Sequence, residues 1–359
     1  MDTRSKLALH CCGTAFAVML WAAGVAGVPA IARAAEPCEQ NQICGLKNAE
    51  DLIRLDGSHW AIASRLAKDP ATPGGFSLVD LQAHATRVLT PDVSDQVDPA
   101  YSACPGAPEA AELVTHGLDI RPHSGNTGEL FAVNHGGRQS IEVFTVHVTD
   151  QGVTLTWKGC VALPSDTSAN AVAALPDGIA VSSFGGQGEA GMKELLAGKP
   201  AGFVSRWTAK TGWVHLPGSE FGGDNGLVAA PDGSALYVND WSDGTLHILP
   251  LRPGVSGGTV KLGDFHPDNV HWLEDGKLLI AGSIGQARDI LACASEQACP
   301  IASRISVVDP AARKVVRTWA VPSTSSFGAA STALRDGADY WVSSFRGDRI
   351  VRLGPAPAG

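Results

Sequence analysis

Six short turns, each closing an apolar run and each ending in Gly, recur along this 359-residue chain and restrict it to a repeat architecture. They are Leu-Asp-Gly at residues 55–57, His-Ser-Gly at 123–125, Pro-Asp-Gly at 176–178 and 231–233, Glu-Asp-Gly at 274–276 and Arg-Asp-Gly at 335–337. Asp-Gly between β-type runs marks a hairpin whose two central positions both call for positive φ. A strand-built repeat of about 45 to 65 residues reads as propeller blades. The expected fold is all-β, a six-bladed β-propeller.

In such a fold the first strand of each blade lines the central channel, and its starting end lies at one mouth. Polar residues at that one position in successive blades converge on the axis. Seven to nine residues before each turn Gly stand Glu50, His116, Asn170, Asn225 and the pair Asp268-Asn269, while the sixth run (residues 329–332) offers no strong ligand. A lone Asn before a strand is ordinarily a turn residue that caps backbone groups. Matching offsets in five runs argue for a site. Glu50 and Asp268 supply carboxylates and Asn170, Asn225 and Asn269 amide oxygens, so five oxygen donors carry two negative charges. Oxygen-only ligation with more than four donors suits calcium; zinc would want His or Cys.

A single His is more often structural than catalytic. Here His116 holds the channel-lining position of its blade, and His135 follows the strand expected to return beside it. Two imidazoles next to a calcium centre can activate a water against a polarised ester carbonyl. They are the candidate catalytic pair.

Composition agrees with a turn-rich, weakly charged protein: 41 Gly, and charged residues at only 18%. Residues 1–34 read as a cleaved signal peptide. Arg4 and Lys6 make a positive start, residues 7–30 are mostly apolar, and Ala32-Arg33-Ala34 fits a signal-peptidase site. The alternative is an uncleaved anchor, because the run is long enough to span; Pro29 and the small residues 22–27 favour cleavage. Residues 35–359 then form a single propeller domain, periplasmic or secreted. The full chain carries −9, and removal of the segment leaves −11, with no basic cluster, so neither nucleic acid nor an anionic membrane is an expected partner. Cys11 and Cys12 leave with the segment. Of the six remaining cysteines, Cys38/Cys44 and Cys293/Cys299 suggest local staples, which would leave Cys104 to pair with Cys160.

Two motifs mislead. Gly254-Val-Ser256-Gly-Gly258 matches a nucleophile elbow, yet Pro253 precedes it and a strand-like run follows, where the elbow needs strand then helix. Gly186-Gln-Gly188-Glu-Ala-Gly191 matches a dinucleotide fingerprint but stands in no repeating βαβ unit. Residues 192–196 look helical within an insertion, a second short helix is expected inside 284–294, and residues 36–48 read as a loop leading into the first blade. Trp241, Phe184, Phe221 and Phe345 are candidates for pocket walls.

Thr115-His-Gly-Leu118, Phe131-Ala-Val-Asn-His135 and Ser140-Ile-Glu-Val-Phe144, followed by Asp224-Asn-Gly-Leu227 and Pro267-Asp-Asn-Val270, resemble the paraoxonase/arylesterase family. That family belongs to a wider group with the gluconolactonase/regucalcin and strictosidine-synthase-like propellers. The resemblance covers nearly the whole chain after residue 34. It implies a catalytic calcium held by Glu50, Asn170, Asn225, Asp268 and Asn269, with His116 as general base and His135 as its partner. It also implies a helix beside the active-site mouth, and lactones and aryl esters as substrates. The chain departs from the family at a second, structural calcium: Asp51 and Leu118 are in place, but Ala171 stands where that site needs an Asp. No cysteine lies near the C-terminus to join the chain ends. Two other readings are a sugar-lactone hydrolase of gluconolactonase type, which lacks the His pair, and a non-catalytic calcium-bound propeller serving as a binding platform.

Overall fold

Each of the six turns joins two antiparallel strands, and every hairpin is extended by two further strands into one of six four-stranded sheets. The computed structural model describes residues 37–66, 74–93, 97–122, 125–185, 188–293 and 299–354. Residues 1–34, expected from the sequence to be a signal peptide and including Cys11 and Cys12, the His-Ser of the second turn, and Gly186 with Gln187 of the fingerprint lie outside the described residues.

The chain opens with β1 (Gln42–Cys44). Blade one follows as β2 (Leu52–Arg54), β3 (Trp60–Ser64), β4 (Phe76–Asp80) and β5 (Ala85–Leu89). Blade two is β6 (Thr115–Pro122), β7 (Thr127–Asn134), β8 (Ser140–Thr149) and β9 (Gly152–Ala162). Blade three is β10 (Ala169–Leu175), β11 (Gly178–Ser183), β12 (Phe203–Thr208) and β13 (Gly212–His215), with helix α1 (Gly188–Leu196) inserted after β11. Blade four runs β14 (Asp224–Ala229), β15 (Ala235–Asp240), β16 (Thr245–Pro250) and β17 (Gly258–Lys261). Blade five is β18 (His266–Trp272), β19 (Leu278–Ser283), β20 (Ser303–Asp309) and β21 (Lys314–Val321), with helix α2 (Ala287–Ala292) after β19. Blade six contains β22 (Ala330–Asp336), β23 (Asp339–Ser344) and β24 (Arg349–Leu353).

The first strands β2, β6, β10, β14, β18 and β22 each touch the next and close a ring around the axis. Burial is most complete in the second strands and falls toward the rim: β3 is buried throughout, while the ring strands β6 and β18 are buried only in part. β11, β14 and β19 are buried at every residue, whereas β21 at the rim is mostly exposed. An inner strand packed on both faces reads as a continuous run of apolar and small residues, while a rim strand alternates. Neighbouring sheets meet through aromatic pairs such as Phe76 with Phe144, edge to face at 5.2 Å, and Tyr237 with Trp272 at 5.3 Å.

Three expectations change on contact with the structure. Residues 36–48 are not merely a lead-in loop: β1 pairs antiparallel with β24 and supplies the fourth strand of blade six. Ile43 is fully buried there, so the first described strand completes the last sheet and covers the edge of β24. The five hairpin turns described throughout do not use positive φ at two positions. Gly57, Gly125, Gly233, Gly276 and Gly337 take it, but none of the preceding Asp residues does. One left-handed Gly suffices because most of these loops are longer than two residues. Helix α1 also begins earlier, and α2 is shorter, than the sequence pattern indicated.

The cysteines pair as Cys38–Cys44, Cys104–Cys160 and Cys293–Cys299. The middle bridge ties the loop before blade two to its rim strand β9; the last closes the segment that follows α2. Three bridges suit an oxidising, extracytoplasmic compartment.

Candidate metal centre and histidine pair

At the start of each inner strand from blade two onward the ladder with the second strand slips. The register shifts lie between Thr115 and Leu118, Ala169 and Val172, Asp224 and Leu227, Pro267 and Val270, and Ala330 and Thr332. The residues released from pairing are His116 with Gly117, Asn170 with Ala171, Asn225 with Gly226, Asp268 with Asn269, and Ser331. A bulge bends its strand and re-aims the side chains at that point. Six strand ends crowd the axis, and small residues let them do so. A Cβ on Gly117 would stand 2.5 Å from the Asn170 carbonyl oxygen, and one on Gly226 would strike the Asp268 carbonyl and stand 2.7 Å from the Asn269 Cα.

Most of the residues singled out in the sequence are linked through contacts at this mouth. Glu50, just before β2, is almost wholly buried. Asn269 Nδ2 donates to Glu50 Oε1 at 2.8 Å and to the Glu50 carbonyl at 3.1 Å. Asn225 hydrogen-bonds the Asp268 carboxylate. Burial, followed by the nearby Glu50 charge, pushes the Asp268 carboxyl well above its ordinary value. His116 Nε2 lies 3.3 Å from Glu50 Oε2, and His116 Nδ1 lies 2.9 Å from His135 Nε2. The imidazole pair therefore continues directly from the carboxylate ring.

Two observations bear on whether these residues fit a cation. Asn170 Oδ1 and Asn225 Oδ1 are buried and have no hydrogen-bond partner. An orphaned buried acceptor costs about 1 to 3 kcal/mol. Two buried carboxylates side by side also repel unless a positive charge compensates them. On both counts the donor set fits a hard, oxygen-loving cation.

Supporting residues escaped the sequence reading. Ser182 Oγ accepts from Ala171 N and donates to the Asn225 carbonyl of the next blade. Asn239 Nδ2 donates to the Asp268 carbonyl at 2.6 Å, and Ser331 Oγ to the Glu50 carbonyl at 2.6 Å. Each side chain ties the backbone of a neighbouring blade's candidate ligand. The available signal was the small polar doublets that end second strands, Ser182-Ser183, Asn239-Asp240 and Ser343-Ser344.

Asp51 and Leu118, which the resemblance would place at a second ion that Ala171 leaves incomplete, contact each other directly. Asp51 Oδ2 accepts from Leu118 N at 2.8 Å, and Oδ1 accepts from Leu52 N at 2.8 Å and lies 2.7 Å from His271 Nε2. The charge of Asp51 raises the His271 imidazole above its ordinary value although burial opposes it, and His271 in turn holds Asp51 low against its own burial. The two groups favour each other's charged forms, and both Asp51 carboxylate oxygens have partners. Nothing in the sequence pattern singled out His271.

A further ring frames the mouth. The residues directly after the second strands are Arg65, His135, Phe184, Trp241, Ile284 and Phe345. Phe184 meets Trp241 edge to face at 5.5 Å, and Leu195 of α1 and Ile290 of α2 join their cluster together with Phe345. The helical insertions thus build an apolar wall over part of the mouth. Phe221 stacks on His247 at 3.6 Å and packs in a different cluster. Asp240, Asp243 and His247 form an acidic cluster able to hold a metal, with ligand atoms within 4.8 Å of one another. Its carboxylates are already engaged, Asp240 by the Gly222 and Ser242 backbone N–H groups and Asp243 by Lys261 at 2.8 Å.

No protein-family model matches this chain, and no curated protein does. Solved structures do. A luciferin-regenerating enzyme matches at 12% identity and TM-score 0.50, over 88% of this chain and 92% of the other. A putative oxidoreductase (glucose dehydrogenase) from Thermus thermophilus matches at 16% identity and TM-score 0.47, over 87% and 98%. Hydrazine synthase from Kuenenia stuttgartiensis matches at 17% identity and TM-score 0.37 over 61% of this chain, which spans about half (52%) of that protein. At these identities the likeness concerns the fold alone.

Proposed function

We propose that this chain is a calcium-dependent hydrolase of lactones and aryl esters, of paraoxonase/arylesterase type, acting in the periplasm or outside the cell. The observation that carries the reading is the contact chain from Glu50 to His116 to His135, with 3.3 Å and 2.9 Å between successive partners. A binding platform needs a metal ring but no imidazole pair beside it, and a gluconolactonase-type site lacks the pair. The disulfides support export, with residues 1–34 removed as a signal peptide and 35–359 acting as one domain.

Glu50, Asn170, Asn225, Asp268 and Asn269 would hold the ion. When bound, calcium supplies positive charge that polarises an ester carbonyl and steadies developing oxyanion charge. His116 takes the proton of the attacking water or hydroxyl at its Nε2, and His135 orients it and relays charge through the Nδ1–Nε2 contact. Phe184, Trp241, Ile284 and Phe345 exclude water from the hydrocarbon part of a small-molecule substrate.

The test is hydrolysis of phenyl acetate and dihydrocoumarin by purified protein, with calcium and with a chelator. Turnover of both that disappears on chelation and returns with calcium is expected. Turnover indifferent to chelation, or none of either substrate, would end this reading.

A further inference from the structure

We infer that Gln139 is a positioning residue that fixes the tautomer of the imidazole pair, so that His116 presents an unprotonated Nε2 toward the metal ring. The inference rests on the hydrolase reading for its effect on turnover, but its structural content stands apart from it.

Gln139 Oε1 lies 2.8 Å from His135 Nδ1, and Gln139 Nε2 lies 3.5 Å from the His135 carbonyl oxygen. That second contact, long as it is, favours this amide orientation, because a flipped amide would turn its oxygen toward the carbonyl oxygen. An amide oxygen only accepts, so His135 Nδ1 carries a proton. Neutral His135 then has its lone pair on Nε2, which accepts from His116 Nδ1 at 2.9 Å. Neutral His116 is left with its lone pair on Nε2, on the side of Glu50 Oε2 at 3.3 Å. Two lone-pair atoms at that distance repel unless a cation or a proton-bearing group lies beside them, which is the demand made by a base next to a metal-held carboxylate. With the opposite tautomers, His116 Nε2–H would simply donate to Glu50, and the imidazole would serve as a structural donor. The acceptor on Gln139 decides between the two.

The loop carrying Gln139 is held firmly enough to impose that choice. His135 N donates to the Val114 carbonyl at 3.0 Å, and Asn134 Oδ1 accepts from Val114 N at 2.7 Å. Asn134 Nδ2 donates to the Gly136 carbonyl at 2.8 Å. Gly137 takes φ of 63°, and a Cβ there would lie 2.7 Å from a Glu112 carboxylate oxygen, so the loop packs tightly on the preceding segment. The Gln139 carbonyl accepts from Leu163 N at 3.1 Å beside the Ser140–Ala162 pair.

The experiment pairs nitrogen-15 imidazole spectra, which report the tautomer without turnover, with kinetics on dihydrocoumarin in excess calcium. Wild type, Gln139→Leu and Gln139→Glu are compared. In wild type, His116 and His135 should both carry their proton on Nδ1. Gln139→Leu should lose that preference and about ten- to a hundredfold in kcat, with KM and melting temperature near wild type. Gln139→Glu keeps an acceptor and should restore both the tautomer and most of kcat. Nε2-protonated imidazoles in wild type, unchanged tautomers and kcat in Gln139→Leu, or no recovery in Gln139→Glu would each overturn the inference. Should wild type hydrolyse neither test substrate, the hydrolase reading falls, and the spectra decide the tautomer claim by themselves.

Discussion

Asn269 and Glu50 stand 219 positions apart in the chain, and Asn269 Nδ2 donates to Glu50 Oε1 at 2.8 Å. The bond joins blade five to blade one at the axial mouth, while Ser331 from blade six holds the Glu50 carbonyl. Glu50 is therefore positioned by two blades other than its own. Its second oxygen lies 3.3 Å from His116 Nε2, so the candidate ligand ring and the imidazole pair share one carboxylate.

Removal of one of the two ring carboxylates should weaken the metal first. Asp268→Ala is expected to lower calcium affinity by roughly two orders of magnitude, since ligand charge sets affinity in such cages. Titration calorimetry checks it; an unchanged affinity would exclude Asp268 as a ligand.

The pairing of Asp51 with His271, together with Ala171, leads to an expectation of one tightly held calcium per chain. Metal analysis of dialysed protein returning two ions would contradict this. His271→Ala should lower stability by about 3 kcal/mol, because it strips a buried carboxylate of its charged partner. Urea unfolding measures that loss.

His116→Gln should retain calcium and melting temperature while losing about a hundredfold to ten-thousandfold in lactone turnover, the usual effect of deleting a positioned base. His135→Gln should lose less, because it acts through His116. Near wild-type rates in both variants would remove the pair from the chemistry and leave a ring carboxylate such as Glu50 to supply the base.

Gly226→Ala tests the close approach of blades four and five. The new Cβ would strike the Asp268 carbonyl and stand 2.7 Å from the Asn269 Cα, both of them backbone. Calcium affinity should fall, and stability should drop by about 1 to 3 kcal/mol from overpacking. An intact affinity would show that the ring tolerates displacement of its backbone.

Asp119 supplies a pH dependence of stability. Burial pushes its carboxyl up to about 6, at the inner end of a pocket on the opposite side of the channel that His271 also lines. A raised carboxyl favours folding below its unfolded value near 4 and loses that contribution as pH rises through about 6. Two units correspond to at most on the order of 3 kcal/mol, reduced by the solvent in the pocket. Asp119→Asn should flatten the unfolding free energy between about pH 4 and 6. A slope there equal to wild type would assign the dependence to another group.

The fold was legible because blades repeat. Turn residues and apolar runs act locally, so the Gly-terminated turns between residues 55 and 337 could be counted and the strands placed around them. The positions of the candidate ring residues from blades two to five were legible for the same reason, as a shared offset becomes a shared bulge at the start of the inner strand. Helix α1 was visible in part from its local pattern. β1 was not, because a three-residue strand carries almost no periodicity and its partner β24 lies at the far end of the chain.

Local sequence thus determined which segments become strands, how many blades form and which side chains reach the mouth, since each follows from periodicity within a few residues. Tertiary structure alone decided what those side chains meet there. The contacts of Glu50 with Asn269 and His116, of Asp51 with His271, of His135 with Gln139 and of Ser182 with the Asn225 carbonyl depend on rotamers, bulges and the angle between blades. A hydrogen bond requires placement to a few tenths of an ångström, and only the closing of the whole ring of sheets sets distances on that scale.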